Sequence, residues 1–347
     1  MTYLFVLGNA PELAFAELNA LVQNTRLISL NLATGDTDLD PKKLMQILGG
    51  TVKIAEILAE DVKLTDVISG DFGISDLTGK INVTKLSKDI KNETGERFVL
   101  PKRGERQLSS VVVAKQKLTE IIIGEGWMGR TVAVQDFEDW GKRDYGRPEA
   151  EGHIGMLPPK VARMMVNIGL PTTDYRLQTV LDPFCGVGTI LAEGMVLGLE
   201  VFGSDINENQ IKKSKNNLDW LSRTYNLEQG KFKLFVHDAN KISEKVKGVD
   251  AIVTEPVLGV NDRSGNINEG HLLKLYVDCF SEWRKVLNTG GKVVIALPGL
   301  RENTNLVKTV IDKVKLLGYS LQQGPYEYSR PQAIVRRNIC IFIYGAY

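Results

Sequence analysis

Cysteine and histidine are scarce, three of each in 347 residues. Cys185, Cys279 and Cys340 lie far apart without a C-x-x-C pair, and His153, His237 and His271 are equally scattered. That spacing argues against a metal centre and a disulfide framework, and makes a reducing cytoplasm the expected setting. No run approaching roughly eighteen apolar residues occurs, so no membrane span is expected. The opening MTYLFVLGNAPELAF lacks a basic region and a convincing cleavage site, and reads as a first strand rather than a signal peptide. A charge excess of one sign is missing too. Lys and Arg number 43 against 42 Asp and Glu, for a net +1. Nucleic-acid binding remains open, because it needs only a local basic face. Internal repeats and low-complexity segments are also absent.

What is present is a chain long enough for two or three domains. From about residue 177 onward, strands alternate with helices. The strands are LQTVLDPF, EVFGSDI, KFKLFVHDA, VDAIVTEP and KVVIALPG. The helices are TILAEGMVLG, NENQIKKSKNNLDWLSRTY, GHLLKLYVDCFSEWRKVLNTGG (with a Gly-Gly stop) and NTNLVKTVIDKVKLLG. This pattern predicts a parallel, doubly wound α/β sheet. LQQGPYEYS and AIVRRNICIFIYG, with no helix between them, predict a C-terminal antiparallel hairpin at the sheet edge. Residues 1–135 instead mix helices near PELAFAELNALVQ and DPKKLMQILGG with short strands. Those strands are TYLFVLG, RLISLNLA, SSVVVAK, TEIIIGEG and TVAVQDFE. They predict one or two smaller α+β units of ferredoxin-like type. Residues 136–156, rich in charge, glycine and proline, read as a linker to a domain over 157–347.

LDPFCGVGT follows the first strand of the α/β half and opens a helix. Gly186 and Gly188 allow a tight turn and close approach of backbone to a ligand. A dinucleotide fingerprint would need glycine where Leu191 stands, and a Walker loop would need a lysine that is missing. NAD and ATP are therefore disfavoured, although a glycine loop alone can be only a turn. Asp205 ends the second strand, where an acid can receive ribose hydroxyls. Ile206 beside it can pack on an adenine face, and Asp238 at the end of the third strand can accept from an adenine amine. Three ordered polar positions on successive strands favour binding over solvated caps.

These residues resemble a known group. The run Asp182, Pro183, Phe184, Cys185, Gly186, Val187, Gly188, Thr189, with Asp205 and Asp238, looks like the S-adenosylmethionine site of class I methyltransferases. Upstream, RDYGRPEAEGHIGMLPPKVARMMVNI is similar to the segment before the catalytic domain of THUMP-domain tRNA guanosine-N2 methyltransferases. The resemblance covers residues 140–345 and is weaker over 1–135. It implies a Rossmann-like sheet and S-adenosylmethionine bound by Asp182 to Gly186, Gly188, Thr189, Asp205, Ile206, Asp238 and Ala239. Pro158, Pro159 and Lys160 would close the methionine end. It also implies a THUMP-like RNA-binding region at the N-terminus and a structured RNA, such as tRNA, as partner.

In that family the end of the fourth strand carries an acid or amide, two prolines and an aromatic residue. Here the aligned residues are Glu255, Pro256, Val257 and Leu258. Methylating an exocyclic amine requires orientation of the nitrogen and acceptors for its hydrogens, a role Glu255 can fill. Gly259 would let the loop turn close to the cofactor. The missing ring leaves only apolar contact for the base, where aromatic stacking is worth roughly 1–3 kcal/mol. A degenerate loop on a non-catalytic RNA-binding homologue therefore stays open, as does adenine-N6 methylation of DNA or rRNA. Candidate RNA contacts are Lys102, Arg103 and Arg106, then Arg143 and Arg147, then Arg330, Arg336 and Arg337.

Overall fold

The computed structural model describes residues 1–150, 155–172, 178–228, 231–259, 268–300, 305–329 and 335–345. Two compact units divide the chain, Met1–Asp139 and Trp140–Tyr347.

In the first unit, prolines at helix starts and a capping carboxylate set the early boundaries. β1 (Thr2–Leu7) is followed by α1 (Pro11–Leu21), β2 (Gln23–Ser29), β3 (Leu32–Asp36), α2 (Pro41–Ile47) and β4 (Thr51–Ile57). Pro41 occupies the first turn of α2, where its missing N–H costs nothing. The Asp40 carboxylate accepts from the N–H groups of Lys42 and Lys43, both at 3.0 Å. The strands run in the order β2-β3-β1-β4 with antiparallel neighbours, the ferredoxin-like arrangement. There follow α3 (Leu64–Val67), β5 (Phe72–Asp76), α4 (Val83–Thr94), β6 (Phe98–Val99), α5 (Ser110–Gln116), β7 (Thr119–Gly124) and β8 (Trp127–Val134). These strands extend the same sheet as β4-β8-β7-β5-β6. Phe72, Ile74, Ile90 and Ile121 pack beneath it.

Two local expectations fail here, and a third segment gains a helix. SSVVVAK, expected as a strand, forms α5. Ser109 caps its start by accepting from Val112 N–H, and Lys117 ends it in the left-handed region, so capping overrides the β-branched run. RLISLNLA is not one strand but parts of two, which turn at Leu30 and Asn31 between β2 and β3. The segment expected as a linker is helical over α6 (Phe137–Asp144). Asp136 caps this helix by accepting from the N–H groups of Glu138 and Asp139.

The second unit contains α7 (Pro159–Gly169), β9 (Thr179–Asp182), α8 (Thr189–Leu197), β10 (Glu200–Asp205), α9 (Glu208–Tyr225), β11 (Phe232–Val236) and β12 (Val249–Thr254). It continues with α10 (Glu269–Trp283), β13 (Leu287–Leu300), α11 (Asn305–Lys315), β14 (Tyr319–Tyr328) and β15 (Val335–Tyr344). Among the described residues the sheet order is β11-β10-β9-β12-β13-β15-β14, with β9 to β13 parallel and β15 antiparallel to both its neighbours. This is a Rossmann-like sheet with C-terminal antiparallel strands. β15 lies inside and β14 forms the edge.

The Gly-Gly stop expected for α10 lies instead within β13. The helix ends at Trp283, and the pairing of β13 with β12 shifts register between Val249 and Ala251, opposite residues 287–292. One side of the sheet is sealed by Phe280, Trp283, Tyr319 and Phe342. Phe280 meets the rings of Tyr319 and Phe342 edge-on at 4.9 and 5.2 Å. Strand order reverses between β9 and β12. The carboxyl ends of the parallel strands on either side of that reversal form the crevice where such sheets bind ligands.

Candidate active site

The glycine loop between β9 and α8 is held by its own strands. Gly188 N–H donates to the Cys185 carbonyl at 2.7 Å, and Cys185 N–H to the Ser204 carbonyl at 2.9 Å. The Ser204 hydroxyl donates to the Pro183 carbonyl, and the buried Asn217 amide donates to the Val187 carbonyl. Gly186 and Gly188 have φ of +49° and +87°, a region that favours glycine. The two differ in surroundings. A methyl added at Gly188 would meet Ser214 Oγ at 2.5 Å, whereas one at Gly186 meets no atom within 4 Å. Gly188 answers to packing, and Gly186 borders open space.

Asp205, at the end of β10, accepts from Gly186 N–H at 3.1 Å and from Asn207 N–H at 2.8 Å. An ionised carboxylate has further lone pairs, so ribose hydroxyls can be added to these bonds. Ile206 beside it is 76% exposed, an apolar face in the crevice. Asp238 follows β11 and caps the next turn through Asn240 N–H, with Ala239 buried behind it. Open space at Gly186, two strand-end carboxylates and an exposed aliphatic face fit S-adenosylmethionine.

Asp182, the last residue of β9, is buried. Its Oδ1 accepts from Thr254 Oγ1 at 2.7 Å and from Phe184 N–H at 3.1 Å. Burial pushes this carboxyl up to about 7, against the lowering effect of those two bonds; the carboxylates of Asp205 and Glu255 add to the rise.

Glu255 directly follows β12. Arg337 Nε, from β15, donates to its Oε1 at 2.5 Å, and the same guanidinium donates through Nη2 to the Gly155 carbonyl. Pro256 is buried, Val257 is exposed, and the Val257 carbonyl accepts from the Tyr276 hydroxyl at 2.7 Å. Gly259 has a φ of +84°.

Upstream, Arg147 Nη1 donates to Thr189 Oγ1 at 2.8 Å, tying residue 147 to the first residue of α8. Glu193 on α8 lies between two buried arginines, 2.8 Å from Arg143 Nε and 2.7 Å from Arg163 Nη2. The Trp140 ring stacks on Arg143, with the guanidinium carbon 4.2 Å from its centroid. Pro158 caps α7, Pro159 opens it, and the Lys160 ammonium lies 5.8 Å from the Trp140 centroid. Burial lowers the Lys160 amine, and the Asp144 carboxylate offsets part of that.

The proposed RNA contacts separate sharply. Lys102, Arg103 and Arg106 are exposed, and Arg336 is half-buried and paired with Glu327 at 2.8 Å. Arg330 lies outside the described residues. Arg143, Arg147 and Arg337 depart from the expected exposed basic face: all three are buried and bonded inside the second unit. Sequence reasoning missed Thr254, Asn217 and Arg337 as site-building residues. Only Thr254 left a signal, as a polar residue closing an apolar strand directly before Glu255.

The family described as RMKL-like, methyltransferase domain, matches residues 147–321, half of the chain. A tRNA (guanine(10)-N2)-dimethyltransferase of Pyrococcus abyssi is 31% identical over 175 residues, covering 50% of this chain and 46% of that protein. Its namesake in Methanothermobacter thermautotrophicus is 29% identical over 235 residues, covering 65% of this chain and 64% of the relative. The chain thus spans about half to just under two thirds of the length of these relatives. In fold, it matches the crystal structure of TrmN from Thermus thermophilus with a TM-score of 0.56, at 14% identity, over 99% of this chain and 100% of that one. Since the family match takes in the glycine loop, Asp205, Asp238 and Glu255, the chain belongs to the RMKL-like methyltransferase-domain family.

Proposed function

We propose that this protein is an S-adenosylmethionine-dependent tRNA methyltransferase acting on the 2-amino group of a guanosine. The observation that carries this reading is Glu255, at the end of β12, beside the strand-end carboxylates at the reversal of strand order. The relatives named for tRNA guanine-N2 methylation support the choice of substrate.

When bound, S-adenosylmethionine supplies an electrophilic methyl group on a sulfonium. Asp205 and Asp238 would hold the ribose and adenine, and the backbone at Gly186 and Gly188 would border the amino-acid end with Pro158 and Lys160. The Glu255 carboxylate accepts a hydrogen of the target amine and turns the nitrogen lone pair toward the methyl carbon. An amine that has gained a methyl group must lose a proton, and Glu255 or water would take it. The base is gripped by aliphatic groups such as Val257 rather than by a ring. The N-terminal unit, as a THUMP-like region, would hold the RNA through Lys102, Arg103 and Arg106.

Mass spectrometry of nucleosides from tRNA incubated with the protein and S-adenosylmethionine should show N2-methylated guanosine. Methylation of adenine N6 in rRNA or DNA would replace this substrate assignment. Cofactor binding without any transfer, unchanged in Glu255→Ala, would sink the catalytic reading.

A further inference from the structure

A glutamate is a poor choice for an orienting carboxylate unless something fixes it. It carries one more rotatable bond than aspartate, so ordering it costs more conformational entropy. Glu255 sits where its strand ends and a loop begins, so its own backbone restricts it little. The restriction comes from β15. Register pairs Arg337 with Pro298 near the end of β13, and the antiparallel run of β15 brings its first residues to the edge where the parallel strands finish. Arg337 is 5% exposed, so packing limits its rotamers before it meets any partner. One donor reaches Glu255 Oε1 at 2.5 Å and another the Gly155 carbonyl. A planar guanidinium presents several donors in one rigid fork, which suits two acceptors on different segments.

We infer that Arg337 is a positioning residue for methyl transfer. It holds the Glu255 carboxylate in its working orientation and ties the loop after β12 to the chain that leads into α7. The inference rests on the proposed role of Glu255. Arg337 acts through Glu255, the carboxylate it holds. Its charge also balances a carboxylate that stands close enough to Asp182 to act on it, so Glu255 can approach an amine without leaving an unbalanced negative charge.

The test compares Arg337→Gln, Arg337→Lys, Glu255→Gln and the double variant Glu255→Gln/Arg337→Gln. Arg337→Gln should lower kcat on tRNA on the order of a hundredfold, with KM for tRNA moving by less than about threefold, as loss of an interaction used in the transition state requires. The double variant should be no slower than Glu255→Gln alone, because both changes remove one unit. Arg337→Lys keeps the charge without the fork and should recover part of kcat. Peptide hydrogen exchange supplies a readout independent of activity. Arg337→Gln should speed exchange in peptides spanning residues 155–158 and 254–259, and leave β9 and β10 as they were.

Unchanged exchange at 254–259 overturns the inference, as does wild-type kcat, or a loss fully additive with Glu255→Gln. A rise in KM for tRNA with a shallower salt dependence and unchanged kcat would return Arg337 to the RNA-binding surface, and overturns it too. If the wild type transfers no methyl group to any nucleic acid, the proposed function fails by itself, and exchange still decides the clamp. If Arg337→Gln does not fold, Arg337→Lys decides on the same readouts.

Discussion

Thr254 Oγ1 donates to Asp182 Oδ1 across 2.7 Å, joining the last residues of β12 and β9 at the point where strand order reverses. One hydrogen bond thus links the end of the strand that precedes Glu255 to the start of the glycine loop. The Phe184 N–H falls on the same oxygen, so the carboxyl also shapes the loop's first turn.

This arrangement predicts a pH dependence. Asp182 titrates near 3.8 when exposed, and burial raises it to about 7 in the fold. Between these values the folded state holds a proton that the unfolded chain has released. Stability from this group is therefore fully present below the lower value and lost as pH rises through the upper one. Asp182→Asn keeps an acceptor at Oδ1 and cannot ionise. Chemical denaturation at about pH 5 and about pH 8 should show a smaller difference in stability for the variant than for the wild type. An equal difference would place the titration elsewhere.

The two loop glycines should fail differently. A side chain in the left-handed region costs roughly 1 kcal/mol or somewhat more. Gly186→Ala should cost about that in stability, while its methyl intrudes on the ligand's space and weakens S-adenosylmethionine binding about tenfold in calorimetry. Gly188→Ala adds the clash with Ser214 and should cost more stability than Gly186→Ala. Equal stability losses would count against the packing distinction.

Basic residues divide into two experiments. Arg143→Ala breaks a buried pair with Glu193 and should destabilise by about 3–5 kcal/mol. Lys102, Arg103 and Arg106 are exposed, so their combined replacement by alanine should leave the melting temperature nearly unchanged. It should weaken tRNA binding and flatten its salt dependence by about one unit of log–log slope for each phosphate no longer neutralised. An unaltered slope would remove this loop from the RNA interface.

The cysteines should be silent. Burial pushes the Cys340 thiol up to about 12 and those of Cys185 and Cys279 well above their ordinary value. Thiolate is the reactive form, so an aromatic disulfide reagent at neutral pH should label three thiols in denatured protein and none rapidly in the native one.

The sequence by itself determined whatever depends on near neighbours. Alternation of apolar strands with helices announced the doubly wound sheet. LDPFCGVGT marked the loop, because only glycine adopts its two positive-φ positions without strain. The places of Asp205, Asp238 and Glu255 at or just past strand ends were legible, and parallel strands bring their ends to one edge. Capping was partly legible and partly missed: Ser109 turned a β-branched run into α5. What only tertiary structure decided is the meaning of the arginines. Arg143 finds Glu193 fifty positions away, and Arg337 finds Glu255 eighty-two positions away. In sequence they look like the exposed Lys102 and Arg103, since a guanidinium carries the same charge everywhere. Whether that charge faces solvent or a buried carboxylate depends on strand order, and the antiparallel course of β15 set Arg337 against Glu255.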